Sequence, residues 1–345
     1  MKEYFRILIL IFIATVLSSL VGTSAQDGST AYNFMNVTSS ARIYGMGGVN
    51  ISNVVDDLSS TDQNPGLLGQ EMSGQIMINY MRYVGSSNFA GIRYAHSTGN
   101  YGTWSAGLQY FGYGSMKMTD ETGVILGSFS PKDVLFSGSF SYDIYGGWRG
   151  GIGVKIAYSS YEQYTALALA TDLGVNYFDP DRDLSFSIVA SNLGGQLKKF
   201  NETNDRLPID LRLGWSQSFG TFPVRFSVTA WNLTKWHLPY LEIKHNGTSS
   251  QDDSIMKDSF SSNLFRHLVF GAELISSDNF YITLGYNYKT RTDMSTYQRS
   301  FLSGFSLGAG INARRFRVGL AFSQPHTGAT TFMLNMTLQL QDILN

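Results

Sequence analysis

The sequence predicts an all-β membrane protein: a closed antiparallel transmembrane β-barrel of about 14 strands, preceded by an N-terminal segment that plugs or caps the lumen. Three observations predict it. Apolar and polar residues alternate over runs of about 9–13 positions, the length a tilted strand needs to cross a bilayer, whereas strands of soluble proteins run to about 5–6. The number of such runs is even, as in bacterial barrels. The connections fall into two alternating sets, one consistently tight and one holding every long loop, which matches short periplasmic turns and long outer loops.

Composition agrees. Of 345 residues, 15% are charged and 14% aromatic, with 36 Gly and 7 Pro. Globular chains carry about 25% charged residues. The formal net charge of −1 leaves no basic footprint for nucleic acid. The absence of Cys excludes a disulfide framework and thiolate chemistry.

Residues 1–25 read as a secretory signal peptide. Lys2 and Arg6 make a basic start, Ile7 to Leu20 is mostly apolar, and Thr23-Ser24-Ala25 supplies small residues for cleavage. The apolar stretch is short for a membrane span of about 20 residues. Residues 26–72 are the plug or cap, small and Gly-rich at Ser40-Ala41-Arg42 and Tyr44 to Val49, with the pair Asp56-Asp57 before Asn64-Pro65-Gly66. Asn before Pro is turned away from helix, and Pro-Gly suits the centre of a type II turn. That turn is expected to end the plug and send the chain into the barrel, residues 73–345.

Strands are expected near 74–83, 88–96, 102–112, 133–143, 148–159, 164–178, 183–192, 208–219, 222–233, 266–275, 279–288, 301–312, 315–323 and 329–340. Ile209, Leu211, Leu213 and Trp215, for example, alternate with Asp210, Arg212, Gly214 and Ser216, and successive side chains of a strand face opposite sides. A barrel this wide leaves an aqueous hole unless something fills it. This register turns Lys155, Asp172, Asp210, Arg212, Arg225, Glu273, Arg315 and Arg317 into the lumen, because a lipid-facing Arg at mid-depth costs about 2–4 kcal/mol. They are expected to form a network holding the N-terminal segment, with Asp56 and Asp57 as partners. Tyr83, Tyr94, Tyr110, Tyr142, Tyr158, Tyr177, Phe219 and Tyr288 fall near strand ends, where aromatic girdles sit. The longest outer loop, 234–265, opens with Trp236, His237, Pro239 and Tyr240, an aromatic content suited to a protein contact.

No motif points to chemistry. There is no phosphate loop, HExxH, Cys-based zinc pattern or G-x-S-x-G, and the five His have no metal spacing. Asp179 to Asp183 lacks the Gly and closing Glu of an EF-hand and reads as a solvated turn. The chain is read as non-enzymatic and without a cofactor; an outer-membrane hydrolase would need a Ser–His pair on the outer rim.

Ala31 to Met35, Ser40-Ala41-Arg42, Gly47-Gly48, Asp56-Asp57 and Asn64-Pro65-Gly66-Leu67-Leu68 resemble the mature N-terminus of the PorQ family, outer-membrane components of the type IX secretion system of Bacteroidetes. The wider set, with PorV and the FadL-type transporters, has a similar small-residue segment, Asp-containing stretch and Asn-Pro-Ala-Gly-like turn before fourteen strands. Here Gly66 stands where Ala is common, and Leu340 to Asn345 lacks the usual terminal aromatic. The resemblance implies an outer-membrane protein, N-terminus periplasmic and long loops extracellular, in contact with outer-membrane lipid and lipopolysaccharide. It implies an anchor for a PorZ-like surface protein, in a complex with PorV and the sortase-like PorU that cleaves secreted cargo and attaches it to lipopolysaccharide. The alternative is a FadL-like transporter of hydrophobic compounds, which the polar lumen of this register disfavours.

Overall fold

The computed structural model describes residues 30–200, 205–219, 222–244, 253–277, 279–293, 301–313, 315–326 and 329–340. The expected signal peptide at 1–25 lies outside them. In chain order the strands are β1 (Gln75–Arg82), β2 (Asn88–Ser97), β3 (Thr103–Gly112), β4 (Met116–Thr119), β5 (Ile125–Phe129), β6 (Lys132–Tyr145), β7 (Trp148–Tyr161), β8 (Tyr164–Asp179), β9 (Leu184–Lys198), β10 (Asp210–Ser218), β11 (Val224–Ala230), β12 (Tyr240–Lys244), β13 (Asp253–Lys257), β14 (Leu268–Ser277), β15 (Phe280–Asn287), β16 (Phe305–Asn312), β17 (Phe316–His326) and β18 (Ala329–Gln339).

Fourteen of these close into an antiparallel barrel, sealed where β1 pairs with β18 from Gln75↔Gln339 to Arg82↔Phe332. Each expected strand has its counterpart. Closure follows from the solvent: lipid offers no hydrogen-bond partner to an open edge. The alternation is read out face by face. Ile78, Ile92, Leu108, Phe136, Ile152 and Leu320 point outward, while Asn79, Arg93, Ser137, Asp172 and Asn335 are buried inside. Two features were not legible as wall. The β4–β5 and β12–β13 hairpins stand as separate two-stranded sheets within the long connections. Among the tight turns, Tyr145 and Trp148 flank Gly146 and Gly147, with φ of 61° and 85°, the paired positive values of a type I′ hairpin that only glycine adopts freely.

The N-terminal segment is a plug in the lumen rather than a cap beneath it. Thr30 bridges Arg206, in the long connection after β9, and Tyr32 accepts a bond from Gln196 near the same end. The chain then passes the short helix Ala41–Gly45 and reaches the opposite mouth at Val54 to Asp57. The N-terminus was expected on the tight-turn side. β1 begins on the tight-turn side, whereas Thr30 sits at the long-loop mouth, and the N-terminus itself lies outside the described residues.

The plug seats on glycines of the wall. A Cβ at Gly151 would lie 2.3 Å from the carbonyl carbon of Pro65, and one at Gly174 would lie 2.1 Å from Asn64 Oδ1. A Cβ at Gly285 would lie 2.1 Å from the Gly47 nitrogen. No side chain fits between the two backbones there. The Gly-rich composition thus serves close approach as well as turns.

Candidate functional site

The Asn64-Pro65-Gly66 motif is part of this seat. Asn64 is fully buried and caps a single 3₁₀ turn, Pro65–Leu67, accepting from Gly66 N at 2.8 Å and donating to Ile51 O at 2.7 Å. The expected type II turn is not formed, because Gly66 stays out of the positive-φ region. Its local role also differs from the expectation. It docks the plug against β7 and β8, and a second turn, Gln70–Met72, follows before β1.

Six of the eight charges expected in the lumen pair with one another. Lys155 Nζ is 2.6 Å from Asp172, and Arg212 Nε is 2.7 Å from Asp210. Arg225 pairs with Asp183 at 2.8 Å and lies 3.5 Å from Glu273. Arg317 lines the tight-turn mouth with Asp56 and Asp57, whereas Arg315 precedes β17 and is exposed. The plug's own ion pairs differ from the expectation. They run through Arg42, 2.9 Å from Glu273, Asp62, 3.3 Å from Arg93, and Glu71, 3.1 Å from Arg149. Arg42 also lies 3.7 Å over the Tyr281 ring. Asp57 instead caps a turn at Ser59 and accepts from Thr337 at 2.8 Å, and Asp56 is exposed at the mouth. The sequence missed this because Arg42 and Asp62 sit outside any alternating strand. Placing buried charges in pairs is what makes so polar an interior tolerable.

Asn192 is a junction that no spacing signals. It takes a left-handed φ of 58° where the β8–β9 register slips between Thr171 and Leu173. Its amide nitrogen donates to Asp172 at 2.7 Å. Its side chain donates to Asn36 and Pro208 O and accepts from Lys155, at 2.9, 3.0 and 3.0 Å. Wall, plug and long connection meet there.

Cavities lie at both mouths. At the loop mouth a cavity of about 230 Å³ is floored by Gly47 to Val49 of the plug and walled by Val37, Tyr44, Met81, Tyr83 and Trp231, with Asn33, Asn36 and Asn287 beside them. Trp231 Nε1 is buried there without an acceptor among the described residues. Tyr83, expected in the outer girdle, stacks on the inward Phe89 instead. Beneath this mouth an aromatic cluster of Tyr32, Phe34, Phe89 and Phe111 packs the upper plug against the wall. At the tight-turn mouth, cavities of about 620 and 540 Å³ flank Val54 and Asp56 of the plug.

The 234–265 loop is partly described. Trp236 stacks on His267 and tilts against Phe260, with centroids 5.2 and 5.4 Å apart. Asp258 accepts from Asn263 at 2.7 Å and lies 3.3 Å from His237. These two partners, Asn263 first, hold the Asp258 carboxyl below its usual range. Tyr240 lies 5.0 Å beneath the Arg266 guanidinium, and Pro239 leads into β12 beside it. Among the described residues no group of His, Asp and Glu is arranged to hold a metal.

No protein-family model matches the chain, and no curated protein matches it. Solved structures do. The Pseudomonas putida toluene transporter TodX is 12% identical, covering 88% of this chain and 98% of that one, with a TM-score of 0.52. A TodX deltaS2S3 mutant, a monoaromatic hydrocarbon channel, is likewise 12% identical over 87% and 97%, at 0.52. At this identity the likeness speaks for architecture alone, and it agrees with the closed fourteen-strand antiparallel barrel sealed by β1 and β18.

Proposed function

We propose that the protein is a non-enzymatic outer-membrane barrel that captures small hydrophobic compounds at its loop mouth, with that mouth facing outward. The observation that carries this reading is the 230 Å³ cavity floored by the plug. An apolar cavity of about 150 Å³ already takes up benzene, so the volume beside Val37, Tyr44, Met81 and Trp231 suffices for a one-ring molecule. TodX, whose architecture is similar, is a toluene transporter, which supports the same class of ligand. Onward passage requires the plug to shift, because paired charges and hydrogen bonds fill the lumen below.

The test is calorimetric titration of toluene into the purified barrel in detergent. Saturable binding is expected, at least ten-fold weaker after Val37→Phe fills the cavity. Equal, non-saturable partitioning in both proteins would overturn the reading.

A second reading follows the sequence resemblance: an anchor for a PorZ-like surface protein in a complex with PorU and PorV, using Trp236, His237, Pro239 and Tyr240. The contacts in the described part of the 234–265 loop favour it, since Asp258 joins Asn263 and His237 there. Affinity purification from the native membrane separates the two readings. Recovery of a surface-protein complex, lost when 234–265 is shortened, supports the second.

A further inference from the structure

The wall is uneven in height. β6 to β9 have 14, 14, 16 and 15 residues, whereas β1, β15 and β16 have 8 each and β11 has 7. Eight residues at about 3.3 Å each span roughly 26 Å along the strand. Tilted near 45°, they cover about 19 Å of a lipid-facing band about 25 Å tall. The short strands therefore fall about 6 Å short of the apolar thickness by the same estimate.

Above β15 and β16, the connecting segments expose large apolar side chains. In the helix Phe260–Arg266, Phe260 is 69% exposed, Phe265 48% and Leu264 37%. Leu302, just before β16, is 44% exposed. Phe265 reaches the end of β15 through Tyr288, while Phe260 tilts against Trp236. Phe265 packs edge-on against Tyr288 at 6.0 Å, and two residues earlier Tyr286 lies 4.7 Å from Phe305, both on the lipid-facing side. The helix is held from behind. Arg266 is fully buried, bonding Thr292 and, at 2.6 Å, Asp293 of the helix Tyr288–Asp293, with its guanidinium over Tyr240. Asn263 faces inward beside it, donating its amide to Asp258. The polar face of this helix is thus anchored and its apolar face turned away.

We propose that Phe260, Leu264, Phe265 and Leu302 form a shelf lying in the outer lipid leaflet, where acyl chains cover them and the missing wall height of β15 and β16 is made up. Continuity with the lipid-facing girdle and the shortfall in strand length argue for lipid as the occupant. This goes beyond ligand capture and rests on that reading only for the outward-facing loop mouth.

The absence of native Cys makes the test clean. Nitroxide labels are placed singly at Leu264→Cys, Phe265→Cys and, as a solvent control on the β4–β5 turn, Glu121→Cys, in phosphatidylcholine vesicles. Collision with oxygen is expected to exceed collision with a nickel chelate several-fold at 264 and 265, and the reverse at 121. Labels at 264 and 265 that behave like 121 identify a surface for water or a soluble partner and overturn the proposal. A second measurement excludes a merely structural role. Phe265→Lys is expected to lower the folded-to-unfolded ratio at least five-fold in vesicles of 18-carbon chains and to leave it unchanged in 12-carbon chains. An equal loss in both would also overturn it.

Discussion

Arg42 of the plug and Glu273 of β14 meet 2.9 Å apart with side chains 5% and 1% exposed, joining the lumen filling to the wall by a buried ion pair. Removing one partner of such a pair leaves a buried charge uncompensated, at about 3–5 kcal/mol. Glu273→Gln is expected to destabilise the barrel by about 3 kcal/mol, whereas the double variant Arg42→Met, Glu273→Leu restores most of it. Urea unfolding in vesicles, followed by electrophoretic mobility, measures both. Equal stability of the single variant and wild type would show that the pair does not hold the plug.

The seat of Asn64-Pro65-Gly66 gives an ordered series. A Cβ at Gly151 or Gly174 meets the plug at 2.3 or 2.1 Å, but one at Gly66 meets Asn64 Oδ1 at 3.0 Å and Gly174 O at 3.1 Å. Gly151→Ala and Gly174→Ala are expected to overpack the seat by about 1–3 kcal/mol and to expose residues 30–72 to added protease. Gly66→Ala should be far milder. Mass spectrometry of the cleavage products reads the order, and equal protection of all three variants would contradict it.

Asn192 combines strain with bonding. Asn192→Ala keeps a side chain in the left-handed region, which costs about 1–2 kcal/mol for L residues, and loses three side-chain bonds. Asn192→Gly loses the same bonds without the strain. The Ala variant should therefore be the less stable by about 1 kcal/mol, as read by denaturant midpoints at equal slope. The opposite order would show that the φ of 58° carries no cost.

Asp258 predicts a pH response in the 234–265 loop. Its carboxyl is held below its usual value by the Asn263 bond and then by His237. A group whose pKa is depressed on folding adds stability above its unfolded value, lost as pH falls through the folded one. Hydrogen exchange across residues 258–267 is expected to accelerate as pH drops below the ordinary carboxylate range, after correction for intrinsic rates. The acceleration should disappear in Asp258→Asn.

The wall was legible because lipid imposes one rule on every residue of a strand: outward positions must be apolar. Ile209 to Ser216 obeys it, and most of the other wall segments do through their middle, with Arg82, His96 and Lys132 outward only near strand ends. The inner filling was legible only as a need. Nothing periodic distinguishes Arg42 and Asp62 from the adjacent Asp56 and Asp57, and a short irregular segment takes its partners from a wall more than 200 residues away, as Arg42 does from Glu273. Asn192 was hidden for a related reason, since a bulge breaks the period by which strands are recognised. The aromatic opening of 234–265 was visible, but its division between Arg266's clamp and the exposed Phe260 and Phe265 depends on how helix and hairpin fold back.

The path of the plug bears on how the molecule is made. Thr30 lies at one mouth, β1 begins at the other, and the last seam is β1 against β18, the two ends of the wall. A finished cylinder could not be threaded afterwards without breaking the plug–wall pairs Arg42–Glu273 and Asp62–Arg93. The leading segment must already occupy the centre while the sheet curls, serving as the mandrel around which the final strand is fastened.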